Sequence, residues 1–177
     1  MEKSGPTSAE TSRRRRYSLG IALAAAALCA CAGHRKDPLE AEEARRARLE
    51  LQSVLDMAAS RKIPPVDFEF DKAALLPSST TLLDKVAEIL MRYQSLKVIV
   101  EGHTDDIGSD EYNDWLSAER GRAVKTYLTS KGVFPDYVKV IGYGKRRPIT
   151  RDASDKGRAL NRRVEFVITT REWEAVY

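Results

Sequence analysis

The spacing of apolar positions along the chain changes several times, and each change marks an element. Between residues 38 and 62 runs PLEAEEARRARLELQSVLDMAASRK, with Leu51, Val54, Leu55 and Ala58 at i, i+3, i+4 and i+7. That spacing puts the four on one face of an amphipathic helix. Twenty helical residues would reach about 30 Å. That reach is enough to hold a domain clear of a membrane surface; the stripe could instead pack on the domain or on a second copy, and without sustained heptads a coiled coil is not favoured. Pro64-Pro65 closes the segment. VDFEF at 66–70 alternates, with Val66, Phe68 and Phe70 on one face, and reads as a first strand. After Pro77, a residue suited to a helix start, Leu82, Leu83, Val86, Ile89, Leu90 and Tyr93 form a helical stripe. KVIVEG at 97–102 is a second strand. A helix follows from about Asp110 to Ser130, with Leu116, Val124, Tyr127 and Leu128 inward and Gly132 at its stop. VKVIGYG at 138–144 and NRRVEFVIT at 161–169 complete the strands. The order β-α-β-α-β-β describes a two-layer α/β sandwich, of the α+β kind, with helices on one face of a mixed sheet. A domain of this size folds without disulfides.

The divisions that follow are 1–30, 31–65, 66–170 and 171–177: a leader, a helical tether, a globular domain and a short tail. The leader contains SRRRRYSLGIALAAAALCACAG, four arginines followed by the apolar run Ser18 to Ala30. A spanning helix needs about 20 apolar residues, so this run predicts a secretory signal peptide rather than a membrane span. It also changes the reading of charge. The chain carries a formal +4, but Lys3 and Arg13 to Arg16 against Glu2 and Glu10 account for most of it. The remainder is nearly balanced, which leaves no electrostatic footprint for nucleic acid.

Both cysteines of the chain, Cys29 and Cys31, sit at the end of the leader, so neither a disulfide framework nor a CxxC redox site is expected. Leu28-Cys29-Ala30-Cys31 resembles a bacterial lipobox. The resemblance implies cleavage before Cys31 and acylation of that cysteine. Each buried CH₂ of an acyl chain contributes about 0.8 kcal/mol, so several chains would hold the protein on a membrane. By analogy with lipoprotein sorting, Ala32 after the cysteine points to the outer membrane.

Candidate chemistry concentrates in EGHTDDIGSDEYNDWLSAER, residues 101–120, where seven acids precede a single base, Arg120. The stretch begins at a strand end, where α/β layers tend to place ligand sites. Asp105 and Arg120 are the leading candidates for one site. Asp106 reads as a solvated loop acid and His103 as structural. The other histidine, His34, lies in the tether, so no metal centre and no cofactor are expected. The basic Lys145-Arg146-Arg147 run reads as a solvated face. An enzyme reading would be a cell-wall hydrolase that pairs Glu101 with Asp105 or Asp106. Such enzymes hold two carboxyls about 5–10 Å apart, one with a raised pKa. Acids this near an arginine stay ionised instead. No nucleophile elbow, phosphate loop or zinc motif is present, so no catalytic residue is assigned.

FEFDKAAL at 68–75, the 101–120 stretch, GYGKRRPIT and GRALNRRVEF at 157–166 together resemble the OmpA-like, peptidoglycan-associated domain family. The resemblance spans essentially the whole globular domain. It implies the sandwich read above, and noncovalent binding of the peptidoglycan stem peptide through meso-diaminopimelate. The ligand-contacting Asp of the family falls on Asp105 and its Arg on Arg120. Its polar residue after the first strand falls on Asp71, where several relatives carry Asn, and its YN asparagine falls on Asn113. Thr104, beside Asp105, joins the set, as does Arg162 from the NRR element. Arg162 and Arg163 alternate across a strand in this reading, so at most one faces the ligand. The chemistry suits the ligand: diaminopimelate ends in a zwitterion, whose ammonium a carboxylate can hold while a guanidinium fork holds its carboxylate.

The expectation is an outer-membrane lipoprotein, domain in the periplasm, that ties the membrane to the cell wall. Its partners would be peptidoglycan and, through Cys31, outer-membrane lipid, with other envelope proteins left open. A Tol-associated Pal-type lipoprotein is the alternative, although the usual GHCDERG loop of that group differs from GHTDDIG here. A motor-stator-like protein would need a spanning helix with an intramembrane acid, which the leader does not offer.

Overall fold

The structure is a computed structural model in which residues 38–169 are described. The expected signal peptide, Cys31 and the tail from 171 lie outside those residues.

Helix α1 (Pro38–Ala59) starts on a proline, whose missing N–H is no loss in a first turn. Its apolar stripe runs through Ala47, Leu51, Val54 and Ala58, all buried, with Leu51 at 0% exposure. These side chains join one core cluster with Leu82, Leu83, Val86 and Leu90 of helix α2 (Thr80–Arg92). At the rim, Glu50 accepts a hydrogen bond from the Tyr93 hydroxyl at 3.0 Å and pairs with Arg92 at 2.8 Å. The segment read as a tether is therefore part of the domain's core, and the compact unit begins at Leu39 rather than at residue 66.

VDFEF does not form a strand. Its only bridge is Phe68 to Leu75, flanked by backbone hydrogen bonds from Glu69 N to Ala74 O and from Leu76 N to Asp67 O, each 2.9 Å. The chain reverses at Asp71, which takes a left-handed φ of 56°. Aspartate tolerates that conformation better than most side chains. The reversal throws Phe70 outward, 89% exposed, before a ladder can extend. Buried Ser79 clasps the loop, its Oγ accepting from Asp67 N and donating to Asp67 O, both at 2.8 Å. Ser79 ends the 3₁₀ turn Pro77–Ser79 that leads into α2.

Three strands form the sheet, β1 (Lys97–Gly102), β2 (Val138–Gly142) and β3 (Val164–Thr169), in the order β2-β1-β3. β1 and β2 are parallel, linked through helix α3 (Asp110–Ser130), and β3 runs antiparallel to β1. The register puts Val98 and Val100 beside Val138, Val140, Phe166 and Ile168 on the face that meets the helices. Ile99, Glu101, Lys139, Ile141, Glu165 and Val167 project from the other face. Helix α3 lies against the first face at very short range. A Cβ on Gly102 would stand 2.1 Å from the Ser117 carbonyl oxygen, and one on its register partner Gly142 would stand 2.7 Å from Ala118 N. Only a residue without a side chain permits that approach.

The mixed sheet with helices on one face is the expected sandwich, with three strands in place of four. The final strand begins later than its apolar pattern suggested. Asn161 closes a short helix, α4 (Asp155–Asn161), and Arg162 caps it. Ser154 opens that helix by accepting from Gly157 N at 3.1 Å. Buried Asn161 clamps the preceding loop, accepting from Ile149 N and donating to Thr150 O, each at 2.9 Å.

Candidate ligand site

β1 delivers the chain to a loop, residues 103–109, whose shape is fixed from several sides. His103 N donates to Arg163 O and Thr104 N to Gly144 O, each at 3.0 Å, extending the sheet's pairing past the strand ends. Asp105 Oδ1 accepts from Ile107 N at 3.2 Å, a turn characteristic of Asp and Asn. Asn113 Nδ2 donates to Ile107 O at 2.9 Å, and Ser109 caps α3 by accepting from Tyr112 N at 3.1 Å. Thr104 and Asn113 are 3% and 2% exposed. The structure thus places both beneath the surface, where Asn113 shapes the loop.

Arg120 lies three turns into α3 and is 4% exposed. Its Nε donates to the Lys72 carbonyl at 3.1 Å, and its guanidinium sits 5.3 Å from the centre of the Phe68 ring. The turn at Asp71 therefore supplies both the backbone acceptor and the ring that position this cation. The nearby acids that could have reduced Arg120 to a surface ion pair are engaged elsewhere: Glu119 with Arg122 and Asp114 with Arg146. Burial pushes the Arg120 pKa down from its usual range, and the charge of Arg162 acts in the same direction, while Asp105, Asp71 and Tyr112 oppose them. All four of these groups thus act on the buried guanidinium.

Around it, Asp105 and Arg162 form an ion pair at 2.8 Å, with the Asp105 side chain 13% exposed. Asp71 Oδ1 accepts from the Tyr112 hydroxyl at 2.8 Å. That bond favours the protonated phenol and raises the Tyr112 pKa, aided by burial and by the charge of Asp71. Of the two consecutive arginines, Arg162 turns to Asp105, whereas Arg163 turns to Glu165 at 2.6 Å. Asp106 pairs with Arg158 at 3.0 Å, and that hydrogen bond chiefly holds its pKa below the ordinary carboxylate range. Glu101 projects from the sheet's outer face, near the Tyr143 hydroxyl at 3.5 Å and Arg147 at 3.9 Å. A pocket of about 200 Å³ opens beside Asp105, with Thr104, Asp106, Thr150 and Asp152 among its walls.

The structure brings Asp71, Asp105, Arg120 and Arg162 together, with Tyr112 among them. Tyr112 and the Lys72 carbonyl escaped the sequence reading. The signal for Tyr112 is weak: it stands next to Asn113 in the motif, but its partner Asp71 is 41 residues away. Such an arrangement offers fixed carboxylates and a partly desolvated guanidinium at one surface, suited to a small zwitterion.

The OmpA family profile matches residues 67–162. The chain is 40% identical over 114 residues to the peptidoglycan-associated lipoprotein of Pseudomonas aeruginosa, covering 64% of this chain and 67% of that one. It is 39% identical over 104 residues to the peptidoglycan-binding protein ArfA of Mycobacterium tuberculosis, covering 59% of this chain. It spans about a third of the length of ArfA and of several other relatives. The crystal structure of the peptidoglycan-associated lipoprotein from Burkholderia pseudomallei superposes with a TM-score of 0.57 at 29% identity, covering 59% of this chain and 88% of that one.

Proposed function

The chain belongs to the OmpA family over residues 67–162, and from that premise we propose that it binds peptidoglycan noncovalently, through the zwitterionic end of a diaminopimelate-containing stem peptide. The observation that carries this reading is the buried guanidinium of Arg120, acted on by Asp71, Asp105 and Arg162. Asp105 receives the ligand ammonium and Arg120 the ligand carboxylate. In the free protein Arg162 already holds Asp105, so the ammonium exchanges one cation for another instead of meeting a bare acid. Asn113 and the Thr104 backbone keep the loop in register for both contacts. The names of two relatives, one associated with peptidoglycan and one binding it, support the choice of ligand.

The wider proposal is an outer-membrane lipoprotein anchored through Cys31, with the domain in the periplasm and no catalytic step. Fatty-acid labelling of the full chain should be lost in Cys31→Ala.

Sedimentation with purified sacculi tests the site. Asp105→Asn keeps the shape of the side chain and removes its charge, and Arg120→Lys keeps charge without the fork. Each should weaken binding by roughly 2–5 kcal/mol, or tens- to thousands-fold, with melting temperature measured alongside to separate binding from folding. If both variants pellet like wild type, the assignment is wrong.

A further inference from the structure

The outer face of the sheet carries a second cluster that the peptidoglycan reading does not use. Glu101 on β1 and Glu165 on β3 are direct register partners and project from the same face. His103, two residues beyond Glu101, continues that face past the strand end. One ligating atom from each of these three side chains lies within 4.8 Å of the other two. His103 is 1% exposed, and neither of its ring nitrogens has a hydrogen-bond partner among the described residues. Buried polar atoms are nearly always paired, so a histidine with both nitrogens unpaired beside two carboxylates asks for an explanation.

We propose that Glu101, His103 and Glu165 form a binding site for a borderline divalent metal ion, zinc being the best-suited probe. One imidazole nitrogen and two carboxylate oxygens are ligands that zinc accepts, with solvent free to take the fourth position. Ligands about 2.1 Å from a tetrahedral ion stand roughly 3.4 Å apart, so the side chains would close in by up to about 1.4 Å from their present 4.8 Å limit. Rotation of the two glutamates can supply that movement. Neither ring nitrogen is engaged by another described group, so a lone pair can be offered to an ion. Tyr143 stacks on the His103 ring at 5.5 Å and fixes its plane, while Arg147 lies 3.8 Å over the other aromatic ring. Arg147 and Arg163 now accompany Glu101 and Glu165. An ion would loosen those two pairs, which predicts modest affinity. The proposal is independent of the ligand assigned to Asp105 and Arg120.

The test is calorimetric titration of the full chain carrying Cys29→Ser and Cys31→Ser, which removes the competing thiols, stripped with a chelator, with zinc chloride in a non-coordinating buffer. One saturable site per chain is expected, accompanied by a rise in melting temperature. Glu101→Gln and Glu165→Gln should each weaken binding at least tenfold, and His103→Asn should abolish it. Glu165 is half-exposed, so its variant keeps the fold even if His103→Asn does not. His34→Ala, which removes the other histidine, should bind like wild type. Cobalt(II) added in place of zinc should give a visible absorption band that Glu165→Gln diminishes. Absence of binding by wild type, binding by Glu101→Gln and Glu165→Gln as tight as wild type, or loss in His34→Ala would each overturn the proposal.

Discussion

The cation at the centre of the candidate site is held by backbone and ring rather than by an acid. Arg120 gives its Nε to the Lys72 carbonyl and lies over Phe68, so its remaining donors can face a ligand. Asp71 is not free either, since the Tyr112 hydroxyl binds its carboxylate. Tyr112→Phe removes that bond and leaves the ring. It should change sacculus binding by about 1 kcal/mol, roughly fivefold, with little change in melting temperature. His103 gives a pH signature. Its pKa falls from 6.5 in the unfolded chain to about 4 in the folded one, so the unfolded state binds more protons between those values. The contribution of this residue to stability is complete above about pH 6.5 and is lost as pH falls toward 4, a change of roughly 3 kcal/mol. Denaturant unfolding with a chelator present, at several pH values, should show that slope, and His103→Asn should flatten it. That Asp105 and Arg120 lie near one another was legible from sequence because a strand end and the helix after it are local features. The bond from Asp71 to Tyr112 was not, because no periodicity connects residues on a turn and a helix so far apart.

At the scale of elements, periodicity named the helices well and the strands less well. Val66, Phe68 and Phe70 alternate as a strand does, yet the left-handed turn at Asp71 sends the third of them into solvent. Alternation specifies which side a residue takes only where a partner strand exists to hold it. Helix α4 was missed because the residues it buries, Gly157 and Asn161, are a glycine and an amide rather than an apolar stripe. Helix α1 was found, but its four-residue stripe could not say what it meets. Leu51→Ala distinguishes the possibilities. At a fully buried position it should destabilise the domain by about 2–5 kcal/mol, whereas the same change in a free tether would leave the melting temperature unmoved. Gly102→Ala probes the seam between β1 and α3. The obstacle is backbone, which cannot rotate away, so a loss of about 1–3 kcal/mol is expected in chemical denaturation.

Over the whole molecule, one sheet presents two different surfaces. Its apolar face carries the helices, and the loop leaving β1 turns toward the cluster around Arg120. Its other face carries Glu101, Glu165 and the edge of His103. The sandwich was legible because each layer writes its own period into the chain, 3.6 for helices and 2 for strands. The second face was not, because the pairing of Glu101 with Glu165 is a fact of register. The packing of α1 has a mechanical corollary. On the proposed reading, the lipid anchor at Cys31 stands seven residues before α1 in the sequence. On that reading, tension between membrane and wall would enter the domain at the start of α1. The seam of Ala47, Leu51, Val54 and Ala58 against the core would then take that strain first, and the force needed to part it would set where the domain begins to peel.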